Sequence, residues 1–176
     1  MANKFYTIGH STRTLDAFLS LLQDAQIATL VDVRRIPRSA TNPQFNADTL
    51  PDALAPSIGY LHIAGLGGRR SMRKDVPSST NAFWQNRSFH NYADYAMSDE
   101  FAAGFAQLLE LGQQGPCAIM CAETVWWRCH RRIIADYLIA RGEQVVHIVD
   151  AENVGAATLT PGARLEADGT LTYPAP

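Results

Sequence analysis

A chain of 176 residues, 47% hydrophobic and 18% charged, suits one globular domain able to bury roughly 70% of its unfolded surface. No apolar run approaches the ~18 residues that span a membrane, and the opening MANKFYTIGHS holds too short an apolar segment for a signal peptide, so a cytoplasmic protein with no membrane partner is expected. The net charge of −2 argues against a broad nucleic-acid surface.

In chain order, KFYTIGH (4–10) reads as a strand that Gly9 ends. Thr14 or Ser11 can cap a helix carrying Leu15, Phe18, Leu19 and Leu22 on one face. TLVDV (29–33) is β-branched and mostly apolar, as in a parallel strand buried on both faces. RRIPRSATNPQFN (34–46) is a long irregular stretch with two prolines, a length at which loops are often functional. YLHIAG (60–65) predicts a third strand and GLGGRRSMRKDVPSSTN (65–81) a second loop, followed by helical patterning over 92–97 and again from Ser98 through Leu109. PCAIMCA (116–122) predicts a fourth strand, 127–141 a helix stopped by Gly142, and QVVHIV (144–149) a fifth strand. ARLEADGTLTY (163–173) alternates around Asp168-Gly169, the signal of a two-residue hairpin loop.

Strands alternating with helices predict a three-layer α/β fold. Its mainly parallel sheet of about five strands is flanked by helices, and a short C-terminal β-hairpin closes a single domain over 1–176. In such sheets ligands sit beyond the carboxyl ends of the strands. Gly9-His10-Ser11, the segment from Asp32 to Arg38, the segment from Gly65 to Arg70 and the segment from Cys121 to His130 each follow a predicted strand. They are therefore expected to meet at one edge.

Charge and thiols concentrate in those segments. Of 15 basic residues only Lys4 and Lys74 are lysine, and the arginines group at 34–38, 69–73 and 128–132. Arginine's planar fork suits phosphate and carboxylate recognition. Cys117 and Cys121 lie about 13 Å apart on an extended strand at ~3.3 Å per residue, beyond the ~7 Å that a disulfide allows between Cα atoms; only Cys121 and Cys129 can approach, across the turn. A thiol at a strand end, facing a helix N-terminus and arginines, is expected to have a depressed pKa. Arg128, Arg131 and Arg132 in a first helical turn oppose the macrodipole, a conflict that an anion bound there would remove. His10 and His62 at strand ends have the pKa range for acid–base work. Asp32, within a strand, needs a partner such as Arg34 or a loop N–H. Trp84, Phe89, His90, Tyr92 and Tyr95 form an aromatic group that is half core.

The strand–Cys–loop–Arg–helix order is similar to that of rhodanese-type sulfurtransferases and cysteine phosphatases, and LVDVRRIP (30–37) to the aspartate- and arginine-bearing strand early in rhodanese domains. Six residues separate Cys121 from Arg128, where phosphatases have five, and the turn AETVWW has no glycine. TIGHST (7–12), LVDVRRIPRS (30–39), NPQFN (42–46), GLGG (65–68), MCAE with CHRR (120–132) and the closing hairpin resemble, over essentially the whole chain, the bacterial and archaeal family called domain of unknown function 488. The motif residues of that resemblance fall on Gly9, His10, Ser11, Asp32, Arg34, Pro43, Phe45, Cys121, Glu123, Cys129, His130 and Arg131.

The reading that follows is an Arg- and His-lined anion pocket at the carboxyl edge of the sheet, with thiolate-dependent sulfur, phosphoryl or acyl transfer through Cys121. Glu123, His130 and His10 would assist catalysis; Arg34, Arg35, Arg128, Arg131, Ser11 and Gly9 would contact the anion; Asp32, Pro43, Phe45 and Cys129 would support them. No cofactor is expected, and the expected partner is a small anion such as phosphate, sulfate or a nucleotide-like ligand. The arginine groups and interspersed aromatics give one alternative, a nucleotide- or nucleic-acid-binding module without catalysis. Cys121, Glu123, Cys129 and His130 give another, a metal site, although their spacing matches no structural zinc pattern.

Overall fold

The computed structural model describes residues 2–176. Its main sheet has six strands: β1 (Lys4–Gly9), β2 (Thr29–Asp32), β3 (Gly59–His62), β4 (Cys117–Cys121), β5 (Gln144–Ile148) and β6 (Val154–Ala156), in the order β3-β2-β4-β1-β5-β6. The first five are parallel and β6 runs antiparallel beside β5. The helices are α1 (Leu15–Asp24), α2 (Leu50–Leu54), α3 (Arg87–Tyr95), α4 (Asp99–Gln114) and α5 (Arg131–Ala140). A separate hairpin, β7 (Arg164–Leu165) and β8 (Leu171–Thr172), completes the chain. None of these helices is long and apolar enough to cross a membrane.

Successive side chains of a strand point to opposite faces, and here each face carries its own core. Leu30, Tyr6, Ile8, Ala118 and Met120 pack with Phe18 and Leu22 of α1 and Leu50 and Leu54 of α2. Phe5, Val31, Cys117, Ile119 and Cys121 pack on the other side with α3, α4, α5 and the hairpin residues Leu171 and Tyr173. Cys121 therefore faces α5, and Asp32, in register with Met120, faces α1 and α2.

The connections leave β1 and β4 in opposite directions: α1 leads from β1 to β2 on one side, and α5 leads from β4 to β5 on the other. The gap between the carboxyl ends of β1 and β4 is thus the topological switch point, where α/β sheets present their binding crevice. Gly9 and Cys121 are paired there.

Local chemistry sets the boundaries. Thr14 and Ser98 cap α1 and α4 by accepting the N–H of Ala17 and of Phe101, which satisfies N-terminal donors that a helix leaves free. Asn86 caps α3 through Ser88 and Phe89, so this helix starts earlier than the apolar patterning at 92 indicates. The helix expected from 127 begins at Arg131, because Trp126–Arg128 form a separate 3-10 turn. Two short elements without strong periodicity, α2 and β6, were not legible as sequence patterns. The hairpin loop spans three residues rather than two: Gly169 donates to Glu166 O at 3.0 Å and adopts φ +88°, a turn followed by a left-handed residue that glycine favours.

The hairpin is tied to α5 by a buried polar network. Tyr173 Oη donates to Asp136 Oδ2 at 2.9 Å, and Asp136 Oδ1 accepts the N–H of Thr160 at 2.9 Å. Removing the hydroxyl leaves a buried carboxylate oxygen without a donor, which costs about 1–3 kcal/mol. Tyr173→Phe should lower the unfolding free energy by that amount, read as a lower urea midpoint with an unchanged slope; an unchanged midpoint would show that the tail docks without this bond.

Candidate functional site

The loop after β4 turns back across the switch point and is fixed there by backbone bonds. His10 N donates to Cys121 O at 2.9 Å and Ser11 N to Ala122 O at 3.1 Å, while Thr124 Oγ1 donates to Ser11 Oγ at 2.6 Å. Gly9 makes this crossing possible. A Cβ at that position would sit 1.8 Å from the carbonyl oxygen of Glu123, so backbone occupies the space of a side chain. The crevice that the topology creates is filled by the chain's own loop.

Beneath that loop the cysteines meet. Cys121 Sγ and Cys129 Sγ lie 2.6 Å apart as free thiols, 4% and 6% exposed. Cys129 directly precedes α5 and receives Arg131 N–H and Arg131 Nε–H, both at 3.4 Å. His130 Nε2–H donates to Val33 O at 2.7 Å, which directs Nδ1 toward Cys129 Sγ at 3.5 Å. Gly68 leaves room for that ring, since a Cβ there would lie 2.8 Å from His130 Nδ1. Arg131 is wholly buried; its Nη2 donates to Glu123 O at 2.5 Å and its Nη1 has no hydrogen-bond partner.

These contacts divide the two thiols. Burial pushes both up, but at Cys129 the Cys121 S–H, His130 and Arg131 outweigh it and hold the thiol well below its ordinary value. Cys121, buried beside that thiolate, is held well above. The pair titrates as a unit, with Cys129 the lowered member and Cys121, although it receives the Glu123 N–H at 3.3 Å, the raised one. The depressed pKa expected at Cys121 thus falls on Cys129, where the contacts with Cys121 and His130 outweigh burial and Arg131 adds to them. Cys117, further back on β4, is pushed up to about 11 by burial.

A second network occupies the same edge on the opposite face. Arg34 Nε and Nη2 donate to Asp32 Oδ1 and Oδ2 at 2.9 and 2.7 Å, and Nη2 also to Phe45 O at 2.6 Å. Asp32 further accepts from Arg34 N and from Tyr60 Oη. His10 donates from Nδ1 to Ser11 O, accepts at Nε2 from Arg34 Nη1 at 3.3 Å, and stacks on Phe45 at 4.6 Å. Burial lowers the His10 pKa; the bond to Ser11 O and the charge of Asp32 oppose it, and Arg34 and Arg131 add to it. Pro43 opens the 3-10 turn Pro43–Phe45 that delivers Phe45.

Of the residues singled out from sequence, the fold brings Cys121, Cys129, His130, Arg131 and the Glu123 carbonyl into one cluster, over Gly9. Asp32, Arg34, His10, Pro43 and Phe45 form the other. Ser11 joins the loop through Thr124. Arg128 and Arg35 are exposed, Arg35 Nη1 donating to Arg69 O. The Glu123 carboxylate accepts its neighbour's N–H at Thr124. Cys121, Cys129 and His130 come together, but among the described residues no group of three His, Cys, Asp or Glu side chains is arranged to hold a metal ion, so the alternative built on Cys121, Glu123, Cys129 and His130 finds no support. A cavity of about 350 Å³ beside β5 and β6 is lined by Trp126, His147, Val149, Asn153 and Gly155, among others, and carries no arginine. Sequence reading missed Val33 O, Gly68 and the stack of Trp126 on His147 at 4.2 Å. Only Gly68, in GLGG, carried a signal.

His147 responds to the buried charge. It shares a hydrogen bond of 2.6 Å with Thr7 Oγ1; burial first, then Arg131 and Arg132, lower its pKa to about 4. Unfolded, it titrates near 6.5. Between those values the unfolded chain binds a proton that the native state does not, so this contribution to stability is complete above pH ~6.5 and lost as pH falls toward ~4, about 3 kcal/mol at most. Urea midpoints measured across that window should fall with acidification, and His147→Asn, which retains a partner for Thr7, should flatten the decline.

No curated protein and no solved structure matches the chain. The family described as Domain of unknown function DUF488 matches residues 14–138, a span holding α1 to α4, most of α5, both cysteines of the cluster and the Asp32–Arg34 pair; the chain belongs to that family.

Proposed function

We propose that this α/β protein is a thiolate-dependent enzyme whose reactive centre is Cys129. His130 takes or returns a proton at Nδ1, and Cys121 stabilises the thiolate by donating its S–H. Arg131 holds the sulfur through Nε and the Glu123 loop through Nη2, so it positions the nucleophile and balances its charge. The observation that supports this reading is the convergence of Arg131 N, Arg131 Nε, Cys121 Sγ and His130 Nδ1 on one buried sulfur. Nucleophiles need a lowered pKa or an adjacent base, and this sulfur has both.

The fitting substrate class is a small electrophile with a negatively charged or strongly hydrogen-bonding oxygen. Arg131, and Arg13 near enough to feel its charge, set a positive field around the sulfur. Arg34 is committed to Asp32 and serves to hold the strand edge.

Thiolate absorbance at 240 nm reads the centre directly. The reduced protein should show one thiolate transition at least about one unit below the ordinary thiol value of ~8.5. Cys129→Ser should abolish it and Cys121→Ser should move it upward while preserving it, with circular dichroism checking that each variant is folded. Three thiols titrating at or above ~8.5 would overturn the assignment.

A further inference from the structure

The thiolate reading accounts for Cys129 but leaves two features unused: a second sulfur at 2.6 Å, and a buried guanidinium nitrogen, Arg131 Nη1, without a partner. An inert pair would not need an arginine with spare donor capacity beside it; buried donors are almost always satisfied. Both sulfurs are covered, so an extended disulfide or peptide substrate has no approach, whereas a two-atom electrophile requires little space.

We propose that Cys121 and Cys129 form a two-cysteine centre that reduces small hydroperoxides and cycles between a dithiol and an internal disulfide. The proposal rests on the thiolate assignment above and adds the substrate class and the second thiol's task.

The chemistry balances within the residues present and two named co-reactants. Cys129 S⁻ attacks the terminal oxygen of ROOH; an S–O bond forms, the O–O bond breaks, and the departing RO⁻ leaves as ROH with a proton returned through His130. Arg131 Nη1 is the donor available to the oxygen that gains charge. Cys121 then loses its proton and attacks the sulfenic sulfur of Cys129. The S–S bond forms, S–O breaks, and hydroxide departs with that proton as water. Two electrons have moved from the thiols to the peroxide. Two equivalents of a small external thiol return the pair to the dithiol and leave as their own disulfide.

Cys117 is the internal control. It lies on the same strand and face, fully buried and far from Arg131's contacts, with its pKa pushed up to about 11, and it should remain reduced.

The reduced protein is treated with hydrogen peroxide and followed by thiol count and intact mass. Two of the three thiols should disappear with the loss of two hydrogens in mass, and dithiothreitol should restore both. Cys129→Ser should slow oxidation at least about tenfold. Cys121→Ser should stop with one added oxygen that dimedone traps. Arg131→Lys, which keeps the charge but not Nη1, should slow oxidation while the 240 nm transition remains. If peroxide leaves the pair reduced while that transition is present, the redox proposal falls and the thiolate assignment stands. If added oxygen is never followed by loss of two hydrogens, Cys121 is not the resolving thiol and the proposal also falls. Absence of the low thiolate transition together with absence of oxidation overturns both.

Discussion

A guanidinium taken wholly out of water must find its counter-charge and its acceptors inside the protein, and Arg131 finds both in the segment that precedes it. Arg131 heads the fully buried side chains in size, and an unpaired charge in that position would cost several kcal/mol. The Glu123 carbonyl and the Cys129 sulfur supply the acceptors. The arginine therefore adds to the Cys121 and His130 contacts that lower the Cys129 thiol, and its Nη2 ties down the loop that crosses Gly9. Its field also reaches His10 and His147, and it contributes to keeping both imidazoles neutral. Structure and reactivity at this edge share one cause.

The pleat of the sheet divides what the topology gathers. Asp32 and Cys121 stand on neighbouring strands and emerge at the same edge, yet they point to opposite layers. The result is two adjoining networks rather than one pocket. In the Asp32–Arg34 pair every polar atom is engaged: each carboxylate oxygen accepts, and each of the three guanidinium nitrogens donates to a named partner. The cysteine network retains unused capacity at Nη1. A network in which every nitrogen has a partner holds a shape; one with a wholly unpartnered nitrogen has something left to bind. That contrast is the reason the proposed chemistry is assigned to the α5 side and a supporting role to the α1 side.

Much of this was readable from the residues. Hydrophobic patterning and punctuation placed the parallel strands, Thr14 and Ser98 marked helix starts, and the strand-end rule brought distant segments together. Three kinds of information were not local. The face on which a strand-end side chain emerges depends on strand parity, and a shift of one residue reverses it. The thiolate's location depends on which cysteine abuts the helix N-terminus; the dipeptide Cys129-His130 hinted at it, but assigning the helix start to 127 hid it. That Arg131 is buried while Arg128 is exposed follows from the 3-10 turn between strand and helix, which no periodicity announces. The short elements α2 and β6 exist through tertiary contact and left no sequence period to read.

The contact at Gly9 is made by the peptide of Glu123 and not by its side chain. Backbone looks the same whatever residue carries it, so the close approach at Gly9 constrains no side chain at 123, and only the Thr124 hydroxyl ties the crossing to a side chain, that of Ser11. The constraint is recorded instead far upstream, as an absence of substituent at position 9. The identity of one small residue near the beginning of the chain thereby gives the residues that cover the sulfurs freedom to change their chemistry while keeping their course.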